Sequence, residues 1–148
     1  MPVTNHQIAT LRAQLAGQRD EHLRLAKQLG TNEANTEYAA LVAAAFIEAV
    51  ERRFIRDGHA ADESEVVDFV AQVREIDDEM PEVINPQIAE SMILHLLEKG
   101  TIVAADKDVK FGHQIVLLAT LIGQEEFNDA ELDAFLSDAR SLADQLLE

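Results

Sequence analysis

Residues 38–47 run for ten positions without a charge, and alanine dominates them. A helix that is apolar on every side belongs in the middle of a bundle, with other elements packed around it. Ala43, Ala44 and Ala45 let neighbouring backbones approach closely. Phe46, Val50 and Phe54, at i, i+4 and i+8, then extend one apolar face beyond the uncharged stretch. A second apolar run, 115–122, predicts another buried helix. Both runs fall far short of the roughly 20 residues that a membrane helix needs. Strand signals are scarce: there are six Phe, one Tyr and no Trp, and the β-branched residues mostly follow helical spacing. The expected fold is all-α, in a chain long enough to bury a core without staples.

Residues 5–29 carry Ile8, Leu11, Leu15, Leu25 and Leu29 at alternating four- and three-residue spacing, with Gln18 and His22 at the two middle positions of the seam. This spacing predicts a heptad helix of about three repeats, on the order of 37 Å long. A seam so narrow on so long a rod predicts contact with another polypeptide, either a second copy or a partner helix. The polar pair Gln18 and His22 would fix the register. In a parallel pair the two His22 side chains face each other, so acid pH is expected to weaken association. The competing reading folds the helix back onto its own body. The polar stretch 30–35 reads as a helix end and hinge, with Asn35 or Thr36 capping the next helix. The expected division is therefore 1–35, a heptad-like helix and hinge, and 36–148, an acidic helical bundle. Charge divides in the same place, since 1–35 has a net charge of +1 and 36–148 of −17.

Further along, Asp57-Gly58-His59 predicts a turn, and Asp62 with Glu65 predicts a capping box ahead of a helix carrying Val66, Val67, Phe69, Val70, Val73 and Ile76. The acidic stretch 77–82 is read as a solvated connection. Asn85-Pro86 is a helix start and Gly100 a stop. Residues 101–112 allow a small hairpin or a helix that begins at Asp106 and runs through Ile122. The helix is preferred, because an isolated two-stranded hairpin is marginal. Asn128 and Glu131 form a second capping box, before a helix with Leu132, Phe135, Leu136, Ala139, Leu142, Ala143 and Leu146 on one stripe. The whole reads as a bundle of about five helices preceded by a long amphipathic one.

Motifs for catalysis or metal binding are missing. The chain has no cysteine, which removes disulfides, thiolate nucleophiles and cysteine-ligated zinc. No Glu-x-x-His stands on any helix, and no two histidines lie within five residues of each other. His95 and Glu98, at i and i+3, make at most half a site and read as a histidine on a helix flank. The segment starting at Asp106 fails as a calcium loop, having Lys110 and Phe111 where a ligand and a glycine belong. Residues 86–112 follow a winged-helix order in outline. Residues 86–100 contain one Lys and mostly apolar side chains, however, and a net charge of −16 opposes phosphate contact.

No catalytic residue, metal ligand or cofactor is assigned. The expected function is a non-catalytic protein-interaction or regulatory module, self-associating or binding a protein partner through Ile8, Leu11, Leu15, Gln18, His22, Leu25 and Leu29. Neither nucleic acid nor membrane is an expected partner. A second reading makes the chain an acidic inhibitor or immunity-type protein that faces a basic partner with Asp77, Asp78, Glu79 and Glu82. A third encloses a small-ligand pocket between the uncharged helices, with Tyr38, Glu48 or His113 at its edge. The first residues lack a basic stretch followed by an apolar one, so the cytoplasm is the expected setting.

Overall fold

The computed structural model describes residues 2–29 and 32–148, the side chains of 32–35 excepted. These residues form α1 (Asn5–Leu15), α2 (Arg19–Gln28), α3 (Asn32–Phe54), β1 (Ile55–Arg56), β2 (His59–Ala60), α4 (Glu63–Arg74), α5 (Met80–Val83), α6 (Pro86–Leu96), α7 (Lys107–Glu125) and α8 (Asp129–Leu146). The fold is all-α, with eight helices among the described residues in place of the expected six. None of these helices is long and apolar enough to cross a membrane. The chain gathers into two compact units, Met1–Glu48 with Ile122–Glu148, and Ala49–Leu121. α1 and α2 thus fall in the same unit as α8.

In the first unit the expected rod is two helices. α1 opens on a capping box in which the Thr4 hydroxyl accepts the Gln7 N–H at 3.2 Å and the Gln7 side-chain Oε1 accepts the Thr4 N–H at 2.8 Å. It ends at Gly17, whose φ of +76° is the left-handed conformation that glycine adopts without a steric penalty. There the Gln18 N–H donates to the Ala13 carbonyl at 2.8 Å and the Gly17 N–H to the Gln14 carbonyl at 3.2 Å. This paired closure is the Schellman motif, and it reverses the chain. α2 then packs back along α1. His6 Nε2 donates to the Leu25 carbonyl at 3.0 Å, and His22 Nδ1 donates to the Thr10 carbonyl at 2.8 Å. Position 6 meets 25 and position 10 meets 22, so the two helices run antiparallel.

α8 begins with the predicted capping box, Asn128 Oδ1 accepting the Glu131 N–H at 2.8 Å and Glu131 Oε1 accepting the Asn128 N–H at 3.0 Å. It buries Leu132, Phe135, Leu136, Ala139 and Ala143 on one stripe. Its polar flank holds the start of the chain. Arg140 donates to Asn5 Oδ1 and to the Val3 carbonyl, each at 2.7 Å, and Asp144 accepts the Val3 N–H at 2.8 Å. One helical turn from α1's end, Arg12 donates to Asp133 at 2.6 Å and to Asp129 at 3.4 Å. These contacts seat α1 against α8 within one chain, where the sequence reading placed a projecting rod.

α3 begins at Asn32, ahead of the expected cap at Asn35 or Thr36, while Gly30 and Thr31 of the proposed hinge lie outside the described residues. Of its uncharged stretch, Leu41, Val42, Ala44, Ala45 and Phe46 are buried, but Ala39 is exposed and Ala43 half-buried, so the helix is covered on most sides rather than all. The second apolar run likewise buries one face, through Leu117, Leu118, Leu121 and Ile122.

In the second unit, Asp57 and Gly58 both adopt positive φ, 52° and 78°, which joins β1 to β2 by the tight turn that an Asp-Gly pair favours. α4 buries Val66, Phe69, Val70 and Val73, the i, i+3, i+4, i+7 face. Phe69 meets Phe54 edge-to-face, with ring centroids 5.5 Å apart. Asp62 stands at the N-cap of α4 without a side-chain bond to it, so only the start of the predicted capping box is realised. The acidic stretch expected to be a plain connection contains α5. Asp77 Oδ1 accepts the N–H groups of Glu79 and Met80 at 2.8 and 3.0 Å, which turns the chain into that helix.

Asn85 caps α6 as predicted, accepting from Gln87 and Ile88. α6 stops at Leu96, short of Gly100, and the turn is closed by Glu98 at φ +60°. The Lys99 N–H donates to the Leu94 carbonyl at 2.8 Å and the Glu98 N–H to the His95 carbonyl at 3.1 Å. Residues 101–106 have no regular structure, and α7 follows from Lys107, with the Lys110 N–H on the Asp106 carbonyl. The preferred helix over the hairpin is thus what forms there.

Candidate functional site

The seam residues of the first helix pair are largely covered by their own chain. Leu11 is fully buried and Leu25 nearly so, Ile8, Leu15, His22 and Leu29 are half-buried, and Gln18 is exposed in the turn. Folding the rod at Gly17 lays its leucine seam inside one hairpin. Burying a leucine such as Leu11 stabilises by about 2 kcal/mol, which is as available from the chain's own α2 and α8 as from a second subunit. His22 is half-buried and held by the Thr10 carbonyl. Leu11 and Leu25 of the seam thus pack within one chain, while Ile8, Leu15, His22 and Leu29 keep part of their surface accessible. α2 carries Leu23 on its outer side, exposed, and the Glu21–Arg24 ion pair there lowers the carboxyl of Glu21 below its ordinary range.

The proposed pocket residues divide between the two units, Tyr38 and Glu48 in the first and His113 in the second. The Tyr38 hydroxyl is buried with no hydrogen-bond partner among the described residues, and burial pushes the phenol up to about 12, so it stays neutral. His113 is buried and both ring nitrogens are engaged. Nδ1 donates to the Val109 carbonyl at 2.8 Å, and Nε2 accepts the Asn85 N–H at 3.0 Å. This histidine pins the N-cap of α6 to the first turns of α7. A ring already fixed on two backbone groups has no nitrogen to offer a substrate proton. Among the described residues, no three His, Cys, Asp or Glu side chains come together as a metal site.

The acidic edge is different in kind. Asp77, Asp78, Glu79 and Glu82 are all exposed, on the turn after α4 and along α5. Between Asp62 and Glu90 the chain has ten Asp and Glu against one Lys or Arg, Arg74. Arg74 Nε donates to the Ile84 carbonyl at 3.1 Å, binding the end of α4 to the segment after α5. Glu90, half-buried, has its carboxyl raised by burial and then by the neighbouring charge of Glu63, evidence that carboxylates crowd one another here. Amid these charges stand exposed aliphatic side chains, Ile76 at 56% and Val83 at 49% of full exposure, with Val67 on α4.

Residues 99–110 form a second exposed surface that the sequence reading treated only as a secondary-structure ambiguity. Ile102, Val103 and Val109 are exposed there, among charges of both signs, Lys99, Lys107 and Lys110 with Asp106 and Asp108. The loop is anchored through Ser91, whose hydroxyl donates to the Ile88 carbonyl at 2.9 Å and accepts the Val103 N–H at 3.0 Å. The available signal was the run Thr101-Ile102-Val103-Ala104, apolar and β-branched yet too short for a buried strand. No family model matches the chain, and no curated protein or solved structure matches it.

Proposed function

We propose that the chain is a non-catalytic protein-interaction module that holds a basic, partly apolar protein surface against its acidic face, the outer side of α4 with α5. One observation carries this reading: ten carboxylates against a single arginine over residues 62–90, with Ile76 and Val83 exposed among them. Exposed aliphatic groups supply area to be dried on contact, and surrounding charge of one sign selects a partner of the other and speeds encounter. The α1–α2 hairpin has a supporting role, because its seam is covered at home. A cytoplasmic setting is part of this reading.

The test uses a fluorescein-labelled amphipathic Lys/Leu peptide as a basic probe and its Glu/Leu counterpart as a control, read by anisotropy. The Lys/Leu peptide is expected to bind the parent protein, and the pair Ile76→Ser with Asp78→Asn to weaken it at least tenfold. Asp138→Asn, which removes an exposed carboxylate from α8, is expected to leave binding unchanged. Equal weakening by Asp138→Asn would show that net charge alone attracts the probe and would overturn the reading.

A further inference from the structure

Of the buried polar side chains among the described residues, Gln7, Thr10, Ser91 and His113, only the histidine can titrate. Its two hydrogen bonds fix where its proton sits. Nδ1 lies 2.8 Å from the Val109 carbonyl, which can only accept, so Nδ1 carries the hydrogen. Nε2 lies 3.0 Å from the Asn85 N–H, which can only donate, so Nε2 carries none and the ring is neutral. The N–H that it accepts belongs to the peptide joining residues 84 and 85, and the carbonyl of that same peptide accepts Arg74 Nε at 3.1 Å. One peptide group between α5 and α6 is thus held at both ends, its oxygen from α4 and its nitrogen from α7, all within the second unit. Each bond polarises the peptide in the sense that strengthens the other.

A proton on Nε2 turns the acceptor into a donor and sets it against the Asn85 N–H. His6 and His22 differ, because each donates to a carbonyl, a bond that a protonated ring also makes. The charges on the adjoining elements do not favour a proton on His113. Arg74 of α4 and Lys110, one turn back on α7, are half-buried cations, while the carboxylates Glu75, Glu82 and Asp108 are exposed to water and Glu90 of α6 neighbours Glu63. We propose that His113 is an acid-sensitive latch on the 84–85 peptide, closed while its ring is neutral and opened by a proton, so that acid frees α5 and the start of α6 from α7. The closed latch needs the neutral ring, whereas the unfolded chain takes up the proton freely. Its contribution to stability is therefore present at pH 8 and lost as pH falls. α5 carries Glu82 and Val83, so opening loosens that part of the acidic face. This last step rests on the acidic-face reading, whereas the latch itself is a backbone contact.

Amide hydrogen exchange of the full chain, resolved by residue with NMR at pH 7.5 and pH 5, tests the latch when expressed as protection relative to the unfolded rate. His113→Gln keeps an acceptor oxygen on a side chain that does not titrate, and His113→Phe keeps a ring without an acceptor. In the parent, protection of the amides in 82–88 is expected to fall at least tenfold between the two pH values, while α1 and α8 keep theirs. Its midpoint is expected to coincide with titration of the His113 ring, read from the Cε1–H shift. His113→Gln is expected to hold its protection at both pH values, and His113→Phe to lack it at both. A parent that stays protected at pH 5, a loss whose midpoint departs from that of the ring, or a loss in His113→Gln equal to the parent's would each overturn the latch. If the segment opens with acid in the parent and the Lys/Leu peptide still binds equally at both pH values, the latch stands and the part given to α5 in the acidic-face reading falls.

Discussion

The two units carry equal net charge and use it differently. The first has 13 carboxylates against five Lys and Arg, the second 15 against seven, a net of −8 in each. In the first, Arg12 and Arg140 reach across from one element to another and tie the chain's start and α1 to α8. In the second, the acidic segment has Arg74 alone, and that arginine holds a backbone carbonyl. Arg53 meets Glu65 at 3.6 Å, but Glu65 is the acidic segment's outermost turn and most of its side chain is exposed. Charge in the first unit fastens one element to another, whereas along the acidic segment of the second most of it faces outward.

The sharpest way to break this comparison is to remove charge from each side in turn. Arg140→Met deletes two charge-assisted hydrogen bonds and strands the Val3 carbonyl, so urea denaturation should show a loss of about 2 kcal/mol. Arg12→Met should cost less, about 0.5 kcal/mol. Asp133 raises the Arg12 guanidinium by a direct hydrogen bond, yet Asp133 and Asp129 are well exposed and solvent screens the pair. Asp78→Asn and Glu82→Gln should leave stability within about 0.5 kcal/mol of the parent. If they destabilise as Arg140→Met does, the acidic segment is part of the fold's fastening and the contrast fails.

What the sequence disclosed about these regions follows from the range of the forces involved. Local signals were legible: Asn128 with Glu131, Asn85 with Pro86 and the Asp57-Gly58 turn each depend on neighbours within a few residues, and each forms as read. The acidic edge was legible as well, because exposed charge needs no partner to be recognised. The α1–α2 hairpin was not, since seven positions of heptad spacing fit a continuous seam and a folded one equally. Gly17 decides between them, and in a single sequence a lone glycine inside a helical pattern reads as tolerated. The loop 99–110 escaped for the opposite reason, as its exposure depends on Ser91 holding Val103, a contact twelve residues apart.

The two helix ends sharpen that lesson at smaller scale. α1 and α6 close with the same pair of hydrogen bonds, one around Gly17 and the other around Glu98. Nothing lies within 4 Å of a Cβ built on Gly17, so Gly17→Ala meets no clash; left-handed φ costs about 1 kcal/mol, and the stiffer unfolded chain offsets about half of it. Glu98→Gly removes the same strain but gives the unfolded chain more freedom, and should stabilise by about 0.5 kcal/mol. Thermal melts of both variants read the difference directly. Shifts of the same sign would mean that left-handed φ is not what sets the two ends apart.

The smallest expected effect tests self-repulsion within the acidic segment. Burial and the nearby Glu63 raise the Glu90 carboxyl above its ordinary 4.5. A carboxyl that is raised in the folded state binds its proton more tightly there than in the unfolded chain. Its ionisation therefore costs stability above the folded value, and that cost vanishes as pH falls below 4.5. Glu90→Gln should melt higher than the parent at pH 7, and the gap should close by pH 4. Glu63→Gln, which removes the like charge but not the burial, should recover part of the same gain. A gap for Glu90→Gln that persists at pH 4 would assign it to packing of the amide rather than to charge, and the crowding inferred for this face would lose its support.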